Sequence, residues 1–341
     1  MPTTKTIKPA GGGDYTSLAS WWTFASGEAT ADQWAECYDG GDLGEVNLTG
    51  ATATPSAGAY FRIYAADGEK HDGTTTATGA YININSTAHG IQVQENYTRI
   101  EGIRFTANAV KDGVYINGAS DVLVDSCNFV AEGSGGFQNG VNAEYIEIDG
   151  NFTARNNVMY GLNKGAGGGP GEYGGITCAA MTFSGTIDVT ANIYNNTIHD
   201  VAATSQGMGR GINCIEVQLG GSCTLNAVVK NNIVTDSDAV DYYASISNGS
   251  YTTGGYNTAS DATGTLYGST GSQNSESASN IYQNTSSDLQ LLTTAEAYDG
   301  GDSIGSFTNS ILDITRPEGS AWDKGAFEAV QTYQPANIIV I

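Results

Sequence analysis

The amino-acid sequence predicts an all-β fold, a parallel β-helix (solenoid) with a short capping helix at its N-terminal end. Three features lead to this expectation: two short phrases that recur in fixed order, stretches of alternating polarity between them, and abundant glycine. Glycine numbers 46 and proline 6 among 341 residues. That glycine share is roughly twice the usual ~7%, without the proline of collagen-like or proline-rich chains, so the glycine is expected in turns.

The recurring phrases define the repeat of the solenoid. In each repeat a phrase that begins with glycine comes first, and a phrase that begins with a double asparagine follows it. Units repeated in fixed order and separated by turns are typical of a chain that coils and stacks on itself. The glycine phrases are Gly113–Ile116, Gly140–Ala143, Gly175–Cys178 and Gly211–Cys214, and the asparagine phrases are Asn156–Val158, Asn195–Thr197 and Asn231–Ile233.

The segments between these phrases alternate in polarity, as β-strands do. From Ile187 to Tyr194, apolar residues occupy every second position, which is the period of a strand with one buried face. The segment from Leu225 to Lys230 repeats this pattern. Differences in repeat length are then expected in loops, and the glycine-rich stretch from Gly161 to Gly175 is one such insertion.

Stacking of the coils places equivalent residues about 4.8 Å apart. The double asparagines are therefore expected to form a ladder of stacked amides. Cys178 and Cys214 fall in the same register, and we interpret them as stacked buried thiols in preference to a disulfide. Five cysteines without a CxxC pair also disfavour a zinc site and a complete disulfide framework.

A helix is predicted before the repeat begins. Between Ser17 and Phe24 the apolar residues Leu18, Trp21 and Trp22 have helical spacing, and Gly27 follows as a stop signal. An open solenoid end exposes strand edges and an apolar interior. We therefore expect this helix to cap the N-terminal end of the coil.

The chain is divided by prediction into three parts. Residues 1–58 form the N-terminal cap and first coil, residues 59–290 the parallel β-helix, and residues 291–341 a closing segment with a tail strand. The tail ends in the apolar run Asn337–Ile341. This strand is expected either to close the edge of the solenoid or to pair with another subunit.

The charge balance excludes one large class of partner. The chain has 36 acidic and 13 basic residues, a net charge of −23 and a pI near 4.1. Binding of nucleic acid by neutralising phosphates needs the opposite sign. The sequence contains no run of ~18 apolar residues, and its first eight residues lack an apolar leader core, so neither a membrane span nor a secretory leader is predicted.

Several segments carry a resemblance to known proteins. The repeat with its asparagine turns resembles the right-handed parallel β-helix proteins of the pectate-lyase-like superfamily, over roughly residues 60 to 290. The opening is similar to the N-terminal segments of β-helix proteins encoded by tailed phages and marine metagenomes, and the ending to the closing segments of phage and bacterial β-helix proteins. The segments concerned are Gly13–Leu18, Trp34–Tyr38 and Gly68–Gly73 at the start, and Ser287–Leu291, Asp313–Pro317 and Trp322–Glu328 at the end.

The resemblance implies two kinds of function. In phages such proteins serve as tailspikes, head fibres or capsid decorations, and in bacteria they often cleave acidic polysaccharides. A calcium-dependent lyase needs carboxylates for the metal and a nearby arginine or lysine as base. The sequence has no Trp-Ile-Asp-His signature of the lyases and no Gly-His-Gly turn of the related hydrolases.

Two outward columns of the predicted coil hold the catalytic candidates for a lyase. Arg155 and Lys230 share one column with Tyr194, and Asp149 and Asp188 share the other. The columns are six residues apart in the sequence, which is ~20 Å along one strand. Because that separation is too large for one site unless a corner of the coil folds the columns together, the preferred interpretation is a solvated charged surface without a catalytic role.

A calcium ion is considered at one further acidic group. Asp236, Asp238 and Asp241 lie close together, and oxygen ligands of this kind suit calcium. No glycine or glutamate completes an EF-hand loop, so a solvated turn is preferred. No cofactor and no resident metal are expected.

The function expected from these observations is that of a phage virion structural protein, a capsid decoration, head fibre or spike. Its partners would be capsid or tail proteins and a host-surface polysaccharide, and a homotrimer is considered. It would be made in the host cytoplasm and located in the virion. The alternative is a polysaccharide lyase or glycoside hydrolase acting on an acidic polysaccharide in a groove of the β-helix, with an extracellular location.

Overall fold

The structure is a computed structural model of the chain and describes residues 1–109, 111–131, 136–162, 172–202 and 208–330. Most of the predicted insertion at 161–175 and the whole predicted strand Asn337–Ile341 lie outside these residues. In the described part of the chain, no helix is long and apolar enough to cross a membrane. The predicted domain boundaries at residues 58 and 290 stay predictions.

Short strands make up the regular structure, together with two short helices, α1 (Leu18–Ala25) and α2 (Ala278–Ile281). The first twelve strands are β1 (Thr3–Ile7), β2 (Gln33–Cys37), β3 (Val46–Leu48), β4 (Phe61–Ala65), β5 (Tyr81–Ile84), β6 (Ile91–Val93), β7 (Thr98–Glu101), β8 (Arg104–Ala107), β9 (Val114–Asn117), β10 (Val122–Asp125), β11 (Asn128–Ala131) and β12 (Asn139–Ile146). The remaining strands are β13 (Gly150–Arg155), β14 (Val158–Tyr160), β15 (Glu172–Thr182), β16 (Thr186–Tyr194), β17 (Thr197–His199), β18 (Met208–Gln218), β19 (Ser222–Lys230), β20 (Ile233–Thr235), β21 (Val240–Ser245), β22 (Thr258–Ala259), β23 (Tyr282–Asn284) and β24 (Asp288–Leu291).

Three parallel sheets form the walls of the coil. Sheet A has the order β1-β2-β4-β7-β10-β13-β16-β19, sheet B the order β5-β8-β11-β14-β17-β20-β22, and sheet C the order β3-β6-β9-β12-β15-β18-β21. From β3 to β20, each turn of the chain adds one strand to each sheet, and neighbouring strands pair in parallel. This pairing confirms the predicted parallel β-helix.

The predicted asparagine ladder lies at the corner between sheets A and B. Asn157 donates from its backbone N and its Nδ2 to Oδ1 of Asn196, at 3.0 and 2.9 Å. Asn196 makes the same two bonds to Asn232, at 2.9 and 3.0 Å. Asn257 extends the ladder by a rung that the sequence analysis did not include. The four side chains are buried, so each rung supplies the partners that its neighbour needs.

The first asparagine of each pair has a different task. Asn156, Asn195 and Asn231 have φ values of 52°, 49° and 58°, the left-handed region that asparagine tolerates better than most residues. This conformation turns the chain sharply from sheet A into sheet B. The double asparagine of the repeat thus combines a turn-forming residue with a ladder residue.

The glycine of the other phrase is required by close packing. A Cβ at Gly113 would lie 2.5 Å from Cε1 of Phe129, and one at Gly211 would lie 2.0 Å from Cγ1 of Val234. Both contacted side chains belong to the interior row of sheet B. Phe129 stacks on Phe105 with ring centroids 4.8 Å apart, so the row fills the coil up to the glycine backbone. Glycine recurs here because no larger residue fits.

The cysteines and the N-terminal helix follow the predictions. Cys178 pairs in register with Cys214, and all five cysteines are free and buried. In α1, Ser17 accepts a capping bond from the backbone N of Ser20 at 3.2 Å. Trp21 and Trp22 are buried against the first coil. The helix therefore caps the N-terminal end of the solenoid.

The chain after the last coil folds back over the outside of sheet B, and we call residues 276–330 the strap. A second apolar core joins the two, formed by Val130, Val158 and Ile233 of sheet B with Leu289, Ile311 and Phe327 of the strap. Within the strap, Arg316 pairs with Glu328 at 3.0 Å, and both side chains are fully buried. Burial lowers the pKa of Arg316 to about 10.

The turn-forming asparagines also bind the strap. Nδ2 of Asn156 donates to the carbonyl of Asn309 at 3.0 Å. Nδ2 of Asn195 donates to the carbonyl of Asp323 at 3.1 Å. Asn231 donates to the carbonyl of Asp302 and accepts from its backbone N, at 2.6 and 3.0 Å. The strap is therefore held by the same corner that contains the ladder.

We predict that Asn196→Ala lowers the free energy of unfolding by about 3 kcal/mol, because it removes the acceptor of the buried backbone N of Asn157 and the side-chain donor to the buried carbonyl of Ala154. The matched control is Asn192→Ala, on the outer face of β16, the strand that comes directly before the ladder residue. Urea unfolding followed by circular dichroism measures both variants. Equal unfolding midpoints for the two would contradict a structural role of the ladder.

Candidate functional site

A column of outward side chains crosses sheet A, one from each coil. Strand pairing places the predicted set of Arg155, Tyr194 and Lys230 in register, as expected from the sequence. The same register continues towards the N-terminus through residues that the sequence analysis did not connect. The complete charge column is Glu36, Tyr64, Glu101, Asp125, Arg155, Tyr194 and Lys230.

A cleft of about 610 Å³ separates the charge column from the strap. Tyr64, Glu101, Asp125 and Arg155 line it on the side of the solenoid, and residues 306–310 on the side of the strap. Period-two alternation along each strand turns these side chains outward, and coil stacking aligns them. The strap converts one part of an open sheet face into a groove with two walls.

The cations of the cleft are all paired with carboxylates. Arg62 binds Glu101 through Nε at 3.0 Å and Nη2 at 2.6 Å. Arg155 binds Asp125 through Nε at 2.8 Å and Nη2 at 2.7 Å. The contact of Arg62 with both oxygens of Glu101 is bidentate, the stronger kind of ion pair. Asp125 also accepts from Ser126 and Asn156, so its oxygens are occupied by protein donors.

Arg155 and Lys230, the predicted bases of a lyase, both hold the strap. Arg155 lies 4.7 Å from the ring centre of Phe307 and donates to the carbonyl of Ser306. Lys230 donates to Asp302 at 2.6 Å, and this bond lowers the pKa of that carboxyl group. These partners are 72 to 152 residues away in the sequence. No repeat pattern links them, which is why the sequence analysis missed the strap contacts.

Asp149 and Asp188 lie apart from the cleft. The backbone N of Asp188 donates to Oδ1 of Asp149 at 2.7 Å, so the two are neighbours on adjacent coils as predicted. They lie near the starts of β13 and β16, whereas Arg155 and Tyr194 end those strands. The structure does not bring the two predicted columns together.

One member of the acidic group considered for calcium, Asp241, anchors a loop. Asp241 is buried and accepts hydrogen bonds from Ser237, Ser260 and Asp261. Burial raises its pKa above the usual range. In the part of the chain that the structure describes, no three His, Cys, Asp or Glu side chains are grouped so that they could hold a metal ion.

A second polar cluster lies along sheet C, and the sequence analysis did not find it. Nδ2 of Asn142 donates to Asp112 at 3.3 Å and to Glu144 at 3.2 Å. Tyr115 donates to Glu144 at 2.7 Å, and burial raises the pKa of this tyrosine. His89 lies 3.1 Å from Asp112 and stacks on Tyr115. We call these five residues the sheet C cluster.

A signal for the sheet C cluster was present in the repeat. His89, Asp112, Asn139 and Arg210 each come directly before a glycine that precedes a sheet C strand or lies near its start. Asn139 donates to Asp112 at 2.7 Å, so members of this column contact across coils. Examining the position before each glycine phrase would have found the column.

Comparisons with known proteins identify no family for this chain. No protein-family model matches the sequence. No curated protein sequence matches it. Among solved structures, the chain is similar to one described as "Crystal structure of pectate lyase Pel9A", with 14% sequence identity, a TM-score of 0.34, and coverage of 96% of this chain and 97% of that chain. The fold assignment rests on the strand pairing of the chain itself.

We predict that Arg155→Ala loosens the strap, because it removes the ion pair with Asp125 and the contacts with Ser306 and Phe307. A loss of about 1 kcal/mol in local stability corresponds to roughly fivefold faster cleavage within residues 302–310 in limited proteolysis. The control is Lys5→Ala, which removes a surface ion pair far along the coil from the strap. Equal cleavage rates in the two variants would contradict the conclusion that Arg155 holds the strap against sheet A.

Proposed function

We propose that this chain is a structural β-helical protein of a phage particle, a capsid decoration, head fibre or spike, that contacts glycans through the cleft between sheet A and the strap. The proposal of a structural role rests on the contacts that the outward charged residues of sheet A make with the strap. Arg155 and Lys230, the candidate lyase bases on sheet A, hold the strap against the solenoid. Charged side chains that hold the strap against the solenoid make the molecule more rigid.

Rigidity supports the same conclusion. The ladder, the interior rows and the strap core join the coils into one body with two packed apolar regions. Each coil adds contacts mainly with its neighbours, as in other solenoids. A long, stiff and strongly acidic body suits a protein that projects from a crowded particle surface, since like charges keep neighbouring copies from aggregating.

The particle assignment itself comes from the sequence. The opening and closing segments resemble those of phage and metagenome β-helix proteins, as described above.

The chemistry of the cleft favours a ligand rich in hydroxyl groups. Its walls carry paired charges, tyrosine, and the polar residues Ser306, Thr308 and Asn309. A polyanion would have to compete with Glu101 and Asp125 for the arginines. An uncharged sugar chain can exchange hydrogen bonds with these groups while the ion pairs persist, and Tyr64 offers an aromatic surface for a sugar ring. We therefore propose a neutral host-surface polysaccharide as the ligand.

A second candidate function is favoured by the sheet C cluster. Two carboxylates, Asp112 and Glu144, lie on either side of one amide nitrogen, with Tyr115 and His89 in contact. Paired carboxylates of this kind can supply the acid and base of a glycoside hydrolase or a polysaccharide lyase. This alternative predicts depolymerisation of a polysaccharide that Glu144→Gln abolishes.

We predict that Tyr64→Ala weakens binding of a neutral polysaccharide about tenfold, equal to about 1.4 kcal/mol. The measurement is retardation during electrophoresis in native gels that contain a panel of neutral and uronic-acid polysaccharides. Tyr243→Ala is the matched control, because Tyr64 lies beneath Arg62 on sheet A and Tyr243 beneath Arg210 on sheet C.

The two functions give different results in this experiment. Retardation by a neutral polysaccharide, lost in Tyr64→Ala and kept in Tyr243→Ala, supports the cleft as the binding site. New reducing ends or unsaturated products would favour the enzyme. Retention of full binding by Tyr64→Ala would overturn the assignment to the cleft.

A further inference from the structure

A lysine is buried where the strap crosses the last coil. The side chain of Lys324 is 0% exposed. Its Nζ donates to the carbonyl of Gly271 at 2.7 Å, to Oε1 of Gln273 at 2.8 Å and to Oγ1 of Thr258 at 3.4 Å. All three acceptors are uncharged. A buried ammonium group without a carboxylate among its acceptors is costly, which favours the neutral amine.

The carboxamide of Gln273 is held from both ends. Its Oε1 accepts from Nζ of Lys324 and from Oγ1 of Thr258, each at 2.8 Å. Its Nε2 donates to the carboxylate of Glu296 at 2.9 Å and to the carbonyl of the same residue at 3.3 Å. The amide is therefore fixed, with an amine on one side and a carboxylate on the other.

This arrangement places a nucleophile against an electrophile. The C=O bond of about 1.23 Å puts Nζ of Lys324 no more than about 4 Å from Cδ of Gln273. Fixing two reacting groups at such a distance replaces a bimolecular encounter by an intramolecular one. Burial lowers the pKa of Lys324 to about 8, so a larger fraction of the amine is neutral and nucleophilic than in an exposed lysine.

Thr258 and Glu296 each occupy a position where charge develops during the reaction. As the amine adds to Cδ, negative charge grows on Oε1, where the Thr258 hydroxyl donates. Positive charge grows on Nε2 as it takes up a proton, and the Glu296 carboxylate lies 2.9 Å away. The four side chains thus resemble a small acyl-transfer site whose substrate is part of the chain.

We propose that Lys324 and Gln273 form an intramolecular isopeptide bond. The neutral amine of Lys324 attacks Cδ of Gln273, so that the Nζ–Cδ bond forms and the Cδ–Nε2 bond breaks. One proton passes from Nζ to Nε2 with the Glu296 carboxylate stabilising the transfer, and Nε2 leaves as ammonia. No oxidant, reductant or second substrate is consumed.

The bond would close a covalent ring across the end of the solenoid. Gln273 pairs with Thr258 of β22, the last strand of sheet B, and Lys324 belongs to the strap. The ring contains the hairpin β23–β24 and most of the strap, and a link of this kind removes conformations from the unfolded chain. The last coil and the strap would then unfold only as one unit.

The test is mass spectrometry of the full folded chain. Intact mass measured under denaturing conditions should be lower than the sequence mass by one ammonia. A tryptic digest should contain a branched peptide joining Gln273 to Lys324, with no cleavage after Lys324. Lys324→Met should abolish the bond, and Glu296→Gln should slow its formation about 100-fold.

Glu276→Gln is the matched control, since Glu276 is a second carboxylate near Lys324 that does not bind Gln273. This variant should form the bond at the rate of the parent chain. Glu296→Gln changes no apolar contact, so it keeps the test decisive if Lys324→Met fails to fold. A folded parent chain with its full sequence mass, cut by trypsin after Lys324, would overturn the proposal.

Discussion

Stacked asparagine amides at the corner between sheets A and B determine the rest of the structure. Each rung accepts from the backbone and side chain of the rung before it, and all of these groups are buried. A buried donor without a partner lowers the free energy of unfolding. Each coil must therefore place its ladder asparagine next to that of the coil before it. That fixed corner sets the register of the strands in the coils that contain it, and with it the alignment of Arg155, Tyr194 and Lys230 on sheet A.

The corner also positions the strap, through the other asparagine of each pair. Asn156, Asn195 and Asn231 take the left-handed conformation that forms the turn, and their side chains bind carbonyl groups of the strap. In each pair, therefore, the second asparagine joins neighbouring coils and the first binds the strap on the outside of the coil. Arg155 and Lys230 act beside these asparagines, since both bind strap residues from the ends of sheet A strands. The cleft forms because these contacts hold the strap beside the corner between sheets A and B.

The sequence predicts the structure correctly where the structure repeats. The ladder, the stacked cysteines, the capping helix and the register of Arg155 with Lys230 all follow from patterns within one or two coils. The prediction fails where the contacts are long-range and occur once, as in the pair of Lys230 with Asp302 and the burial of Lys324 beneath the strap. The sheet C cluster was missed for another reason: it repeats, but with a different residue type in each coil.

The function proposed here depends on the chain being part of a particle, and quantitative mass spectrometry of purified extracellular particles tests this most directly. The copy number of the chain is compared with that of the major shell protein. The account predicts a reproducible ratio, near-integer for a decoration protein and a few copies per particle for a fibre or spike. Absence of the chain from the particles would contradict the structural role and favour depolymerisation as its activity.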